Sequence, residues 1–312
     1  MARGSAMDTR LSGAFESGYG ADPGSGYMDL PVVTEGLGGD EPLLQDDTLA
    51  HGRGPRAPDR DALTVDGDFT APLEAESIGV WLKLLLGAPT TTGAGPYTHE
   101  FTAATATLLP SLFLRRWHPG PGRGRTISGL TASSMAISLG SDGRPQAAVS
   151  LRGRDEQEIT ADPGAGNPWP AYTRFTNPQG ALSQAGAPYT DVVVGADLTI
   201  ENNLDVIRPV DGTGLIGQPQ AMMQAITGTI TARAAAGDLD AIAKPGQSTA
   251  LRLVWSNGTE SLTFDLPAVH LARARSPLSG PQGIEQSFEF EAAIDGAGAL
   301  LTATLVNNVA SY

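Results

Sequence analysis

The chain has 312 residues, 40% of them hydrophobic, with 39 glycines and 23 prolines: enough apolar material for a core, in a composition that favours short strands and turns over long helices. Lys and Arg number 20 against 34 Asp and Glu, a formal net charge of -14, which argues against a nucleic-acid-binding surface, because affinity for phosphate comes mainly from cationic side chains. The absence of cysteine excludes disulfides, thiolate metal sites and thiol nucleophiles.

The first residues, MARGSAMDTRLSG, lack the apolar core of a signal peptide. Residues 1–60 are rich in Gly, Pro and Asp and hold few large apolar side chains, with Leu30 to Val33 reading as their single strand. Such a segment cannot bury enough surface to offset its own ordering. It is expected to be an extended arm or loop that orders against a neighbouring subunit, a disordered tail being the alternative. Val65 to Thr70 then reads as a strand leading through Pro72 into the one strongly helical stretch. There Ile78, Trp81, Leu82 and Leu85 fall at i, i+3, i+4 and i+7, a single packing face, with Glu76, Gly79 and Lys83 round the other side. Glu74 and Glu76 suit the positive end of a helix dipole, and Gly87 and Pro89 stop it. The spacing predicts an amphipathic helix laid over a sheet. The apolar run Val80 to Leu86 is interrupted by Lys83 and far too short to span a bilayer, so no membrane partner is expected.

Strand candidates follow at Tyr97 to Phe101, Ser111 to Trp117, Ile127 to Leu139 and Ala147 to Leu151. Residues 161–190 form a Pro/Gly-rich stretch, the expected linker between a first β unit at 61–160 and a second at 191–312. In the second unit Val192, Val194, Ala196, Leu198 and Ile200 alternate with Asp191, Asp197, Thr199 and Glu201, the period of a half-buried strand. Ile226 to Arg233, Leu251 to Trp255, Leu262 to Leu266 and Phe288 to Glu291 repeat that alternation, and Asp238 to Ala243 reads as a short helix. The two units also resemble each other. VDGDFTA (Val65 to Ala71) aligns with ITGTITA (Ile226 to Ala232), each before a helix candidate; Ser111-Leu112 then pairs with Ser261-Leu262, Gly129-Leu130 with Gly283-Ile284, and Asp142-Gly143 with Asp295-Gly296. The fold class expected is mostly β, two tandem sandwich or barrel units each flanked by one helix.

GAFESGYGADPG (Gly13 to Gly24), VDGDFTAPLE, WLKLLLG, YTHEFTA (Tyr97 to Ala103) and ADLTIENNLD (Ala196 to Asp205), in this order, resemble the tail tube proteins of long-tailed bacteriophages. The resemblance covers most of the chain. It implies a virion protein, assembled in the host cytoplasm, whose rings stack into a hollow tail tube through which DNA is ejected without specific binding. Most members carry one domain and form hexameric rings, and some carry a doubled domain and form trimeric, pseudo-hexameric rings. Tape measure, tail terminator and baseplate proteins are the implied partners, and no catalytic residues come with the family.

A ring or tube needs head-to-tail contacts between different patches, and open strand edges supply them. A bore for DNA must not hold phosphate, so the acidic faces carrying Asp191, Asp197 and Glu201, and Glu289 and Glu291, are candidate lumen walls; ordinary solvated strand faces are the alternative. Arg115, Arg116, Arg123 and Arg125 around the loop HPGPGRGR form the one local cationic patch, read as a ring-to-ring contact in preference to a DNA contact.

Other chemistry finds little support. Gly212 to Gly217 matches GxGxxG, but Pro209 and Pro219 bracket it and no helix follows, so no nucleotide cofactor is expected. His51, His99, His118 and His270 are scattered, giving no metal site, and Asp66 and Asp68 share a strand face without a convergent partner. The alternative function, an adhesin or carbohydrate-binding module of a phage tail tip, calls for clustered exposed aromatics, which make up 6% of the chain and fall mostly on core-like faces.

Overall fold

The computed structural model describes residues 5–49, 52–103, 107–188, 193–233, 237–275, 284–296 and 298–312. It is 48% strand and 7% helix, so the mostly-β class holds. The first half of the chain runs β1 (Arg10–Phe15), β2 (Met28–Asp29), β3 (Thr34–Glu35), β4 (Gly38–Asp40), β5 (Leu43–Leu44), β6 (Asp59–Arg60), β7 (Thr64–Pro72), α1 (Ile78–Leu86), β8 (Thr90–Thr92), β9 (Tyr97–Thr102), β10 (Leu112–His118), β11 (Arg123–Leu139), β12 (Gln146–Gly153) and β13 (Asp155–Ile159). The second runs β14 (Gly180–Gln184), β15 (Ala187–Pro188), β16 (Val193–Glu201), β17 (Leu204–Asp205), β18 (Gln220–Ala221), β19 (Ala225–Arg233), α2 (Gly237–Ala243), β20 (Ser248–Ser256), β21 (Ser261–Leu271), β22 (Glu285–Ala292) and β23 (Thr302–Asn307).

A central antiparallel sheet crosses both halves in the order β3/β4–β7–β12–β11–β16–β19–β22–β21. The long strand β11 belongs to two layers. Its first part pairs with β10 and β13, its last part with β12 and β16, and the register shifts where one gives way to the other. Likewise β21 pairs with β23 near its start and with β22 at its end, while β20 follows its other edge from Ser261 to His270. Period-two alternation explains the layering: Phe69, Val149, Met135, Ile200, Ile226 and Phe288 all point inward from the central sheet and are buried.

Helix α1 fills the space beneath. Trp81 lies on Phe69 with ring centroids 4.3 Å apart. Ile78, Trp81, Leu82 and Leu85 are buried as the spacing predicts, each apolar side chain contributing about 1.5–3 kcal/mol. The polar side expected of the helix is absent. Gly79 is buried, and a Cβ there would meet the Tyr312 ring at 2.2 Å. Lys83 is half-buried, its Nζ donating to the Tyr312 carbonyl at 2.8 Å and sitting 3.9 Å from the Phe15 ring centroid. The helix is enclosed because β1 and the last residues cover the side left open by the sheet. Glu74 and Glu76 precede the first turn and are themselves buried. The Glu74 carboxylate accepts the N–H groups of Glu76 (2.9 Å) and Ser77, satisfying donors that the helix start leaves free.

Leu30 to Val33 does not form a strand; the ladders lie on either side, at β2 and β3, and Pro31 lacks the donor a ladder needs. Much of residues 1–60 lies in the body, since β1 pairs with β10 and β3 and β4 with β7. Within 161–190, the Trp169 indole donates to the Asp29 carbonyl at 2.7 Å, Phe175 is buried and β14 pairs with β20.

The registers repeat along the chain. The shift that carries Val65 to Ile226 carries the pairs Gly39↔Val65 and Glu35↔Phe69 onto Ile200↔Ile226 and Ala196↔Ile230. It also carries Leu43↔Arg60 onto Leu204↔Ala221. The loops 41–63 and 202–224 are therefore equal in length and leave the same end of the central sheet. Gly67 and Gly228 correspond as well, and at both the neighbouring strand comes too close for a side chain: a Cβ would lie 2.4 Å from the Gly36 carbonyl oxygen and 2.0 Å from that of Asp197. Beyond β7 and β19 the equivalence runs differently from the sequence alignment. β12 and β22 pair with β7 and β19, and the hairpin β10–β11 answers β20–β21. Ser111-Leu112 thus opens the counterpart of β20, not of β21. Gly283 lies outside the described residues.

Candidate assembly surfaces and the acidic face

The outward face of the central sheet is polar across every strand. One row reads His270, Glu291, Thr227, Thr199, Ala136, Ala148, Thr70 and Thr34, each opposite the next. A second reads Glu289, Thr229, Asp197, Ser138. Inward residues are taken up by the core, so the alternate positions are left to water, and Thr and Ser there suit a pleated, half-exposed surface. Asp197 and Glu201 of β16 and Glu289 and Glu291 of β22 all lie on this one face and are exposed. Asp66, Asp68 and Glu285 join them, against Arg152 and Arg233. Arg152 pairs with Asp66. The hydroxyls of Ser150 and Thr229 donate to Asp68 (2.6 Å) and Asp197 (2.9 Å). A shallow concavity of about 720 Å³ runs between Asp197, Thr229, His270 and Glu291. Asp191 lies outside the described residues.

The four arginines sit on another layer, on β10 and the first part of β11, and each has an internal partner. Arg115 stacks 3.4 Å from the Tyr27 ring centroid and reaches Asp22 at 3.2 Å. Arg116 binds Glu35 at 2.7 Å and Glu156 at 3.7 Å, Arg123 binds Glu158 at 3.3 Å, and Arg125 binds Glu156 at 2.6 Å. The partner carboxylates Glu156 and Glu158 come from β13, whose sequence DEQEI shows no apolar alternation and whose pairing with β11 is set only by the tertiary fold. Arg123 and Arg125 keep side chains 71% and 54% exposed.

Two loops project from the same end of the sheet. Loop 41–63 exposes Leu43, Leu44 and Leu49, and loop 202–224 exposes Val206, Ile207, Val210, Met222 and Met223. By residue type the second offers only a failed nucleotide motif and the first no motif at all; what relates them is the spacing from strand to strand. Gly212 to Gly217 lies in this second loop, where Asp211 accepts the Thr213 N–H at 2.9 Å and no helix opens. His99 is buried between Thr91 and the Val309 carbonyl, and His118 bonds Thr9; His51 lies outside the described residues. Among the described residues no group of three or more metal-ligating side chains converges, and no helix is long and apolar enough to cross a membrane.

The family described as phage tail tube protein matches residues 7–292, nearly the whole of this β architecture. The chain belongs to the phage tail tube protein family. It is thus a structural component of the phage tail, from a family not known to be enzymatic, whose members assemble into a tube with other tail proteins. No curated protein matches it. Among solved structures, the P. putida toluene transporter TodX is 9% identical, the match covering 98% of this chain and 88% of that one, with a TM-score of 0.10 that carries no argument about the fold. For a tail tube protein the surfaces that matter first are those that meet other copies in the tube.

Proposed function

We propose that this tail tube protein forms rings, trimeric and pseudo-hexameric if its two halves are tandem units, that the rings stack into the hollow tube through which DNA is ejected, and that the carboxylate-bearing face of the central sheet lines the bore. The observation that carries the reading is that face: a sheet crossing the whole chain, its inward side a core and its outward side Ser, Thr, Asp and Glu. A wall of this kind offers hydroxyls for water and repels phosphate. At roughly 0.15 M salt the repulsion reaches only about 8 Å, so it acts near the wall and leaves the centre of the bore unaffected. The twin loops 41–63 and 202–224, with their exposed Leu, Val, Ile and Met side chains, suit ring-to-ring contact at one end. Arg115, Arg116, Arg123 and Arg125 supply a charged contact through the two most exposed of them. Tape measure, tail terminator and baseplate proteins are the partners inside and at the ends of such a tube, and assembly takes place in the host cytoplasm.

Negative-stain electron microscopy of the purified protein over a range of concentrations tests this. Hollow tubes or rings of uniform width are expected. A chain that stays a compact monomer at every concentration and salt would overturn it.

A further inference from the structure

Inside the chain the two halves of the central sheet meet where the end of β11 pairs antiparallel with β16: Ser134↔Glu201, Ala136↔Thr199, Ser138↔Asp197. The shift from Val65 to Ile226 maps β3 and β4 onto β16, with Asp40 falling on Glu201 and Gly38 on Thr199. The first half therefore presents the strand that, in the second half, is covered by β11. Among the described residues no strand lies on the outer edge of β3 and β4.

Side chains occupy that edge instead. The Leu37 N–H donates to Glu35 Oε1 at 2.9 Å, the Leu37 carbonyl accepts from Arg116 Nη1 at 3.1 Å, and the Gly39 N–H donates to Glu156 Oε2. Leu198 and Ile200, the counterparts of Leu37 and Gly39, lie opposite Ile137 and Met135 of β11. An ion cluster in the first half thus holds backbone groups whose equivalents in the second half face a strand. Glu35, Arg116 and Glu156 have side chains only 10%, 15% and 7% exposed, so the cluster is seated on the edge.

The complementary strand end is also present. His270 and Leu271 lie opposite Glu291 and Phe290 as Thr131 and Ala132 lie opposite Arg152 and Leu151. Residues 272–275, Ala-Arg-Ala-Arg, thus correspond to the end of β11 that holds β16. The pairing with β20 on that side stops at His270. Arg273 answers Ser134 and so falls opposite Asp40. In this register the Arg273 guanidinium, which within the chain donates to the Lys244 carbonyl at 2.9 Å, comes beside the Asp40 carboxylate, and a groove of about 770 Å³ beside β3, walled by Met7, Leu11, Val32, Val33 and Pro121, supplies apolar surface next to the edge.

We propose that the outer edge of β3–β4 receives residues 272–275 of a second copy, repeating between chains the joint that β11 and β16 make within one, and that Glu35, Arg116 and Glu156 cap the edge until that strand arrives. Resting on the ring reading above, it names the joint. The two strand ends differ from each other, so the contact is head to tail and propagates until it closes. The cap explains how a subunit with an open central sheet avoids pairing at random, since carboxylates seated on edge donors block strand addition.

The test is a cysteine pair, Asp40→Cys with Arg273→Cys, in a chain that has no other cysteine. Both positions are exposed, so folding is expected to survive. Oxidation of assembled material should give chain-to-chain disulfides, seen as dimers and larger species on a denaturing gel, with neither single variant giving a ladder. Tubes that form but yield no ladder would overturn the joint while leaving the tube reading intact; a parent protein that forms no tubes overturns the tube reading itself. The charge exchange adds a second readout. Asp40→Arg and Arg273→Asp should each raise the concentration needed for assembly by about three- to tenfold, and the double variant should return it towards that of the parent; a double variant as impaired as the two losses combined refutes the pairing. Glu35→Gln, checked for an unchanged melting temperature, should lower the assembly concentration severalfold, and no change would refute the cap.

Discussion

Asn202 ties three parts of the molecule together, and removing its amide has a calculable effect. It is buried at the foot of loop 202–224. Its Nδ2 donates to the Leu85 carbonyl at the end of α1 (2.9 Å) and to the Ala132 carbonyl of β11 (3.0 Å), and its Oδ1 accepts from Gln224 across the loop (2.9 Å). Asn202→Ala leaves two carbonyls without their donor and Gln224 without its acceptor. At about 1–3 kcal/mol for each buried group stranded, less where water reaches Gln224, the loss comes to about 2–5 kcal/mol. A chain of this length unfolds with an entropy of about 0.65 kcal/mol/K, so the melting temperature should fall by about 3–8 °C. Asn202→Asp should do worse, because a carboxylate would face the same two carbonyl oxygens. Thermal melts below the assembly concentration check both. An alanine variant melting within a degree of the parent would refute the claim that this amide holds helix, sheet and loop together.

Four further outcomes are expected. Gly67→Ala and Gly228→Ala should each destabilise by roughly 1–3 kcal/mol, since a methyl would strike the carbonyl of the adjacent strand; equal melts for parent and variants would remove this support for a repeat. Burial, helped by the neighbouring Glu74, pushes the Glu76 carboxyl up to about 7 from its ordinary 4.5. The folded state therefore holds that proton more tightly, and its contribution to stability is fully present below pH 4.5 and lost as pH rises to about 7; Glu76→Gln should flatten the pH dependence of the melting temperature across this window. Replacing Asp197, Glu289 and Glu291 together by Lys should give tubes that retain DNA at about 50 mM salt and release it at higher salt, read by sedimentation with labelled duplex; equal indifference to DNA would remove these residues from the bore. Arg123→Glu with Arg125→Glu should shorten the tubes seen by microscopy, and tubes of normal length would exclude these residues from ring stacking.

Legibility in the sequence follows burial. β16, β19 and β22 alternate cleanly because one face meets the core and the other meets water, so the alternation alone assigns their acidic residues to the solvent side. β1 reads as RLSGAF because four of its residues are buried on both faces, which erases the alternation. β13 contributes no apolar residue to the core, so nothing in its own pattern sets its carboxylates against the arginines of β11. The cationic patch therefore looks free in the sequence when it is internally paired. β14 hides in a Pro/Gly-rich stretch because it is held by β20, not by its own apolar pattern. The twin loops keep Leu43 with Leu204 and Pro58 with Pro219 and little else, so it is their equal length and shared strand register, invisible to residue identity, that relates them.

The two halves also differ in one respect that bears on assembly. In the first half the chain between α1 and β10 is long enough to build the hairpin β8–β9, and β9 crosses to pair with β23 of the second half along its whole length. The connection from α2 to β20 is a short turn, with no room for a counterpart. The joint within the chain is thus stitched twice, through β11–β16 in the central sheet and β9–β23 in the outer one, and His99 is locked into the second seam. On the head-to-tail reading, a joint between chains has only the central pairing. The internal joint is always formed, because its partners are tethered at high effective concentration. On that same reading only the joints between chains form by collision, and these are the ones the proposed cap would control. If the two halves are tandem units, doubling would halve the number of joints that assembly has to make and leave control at those that remain.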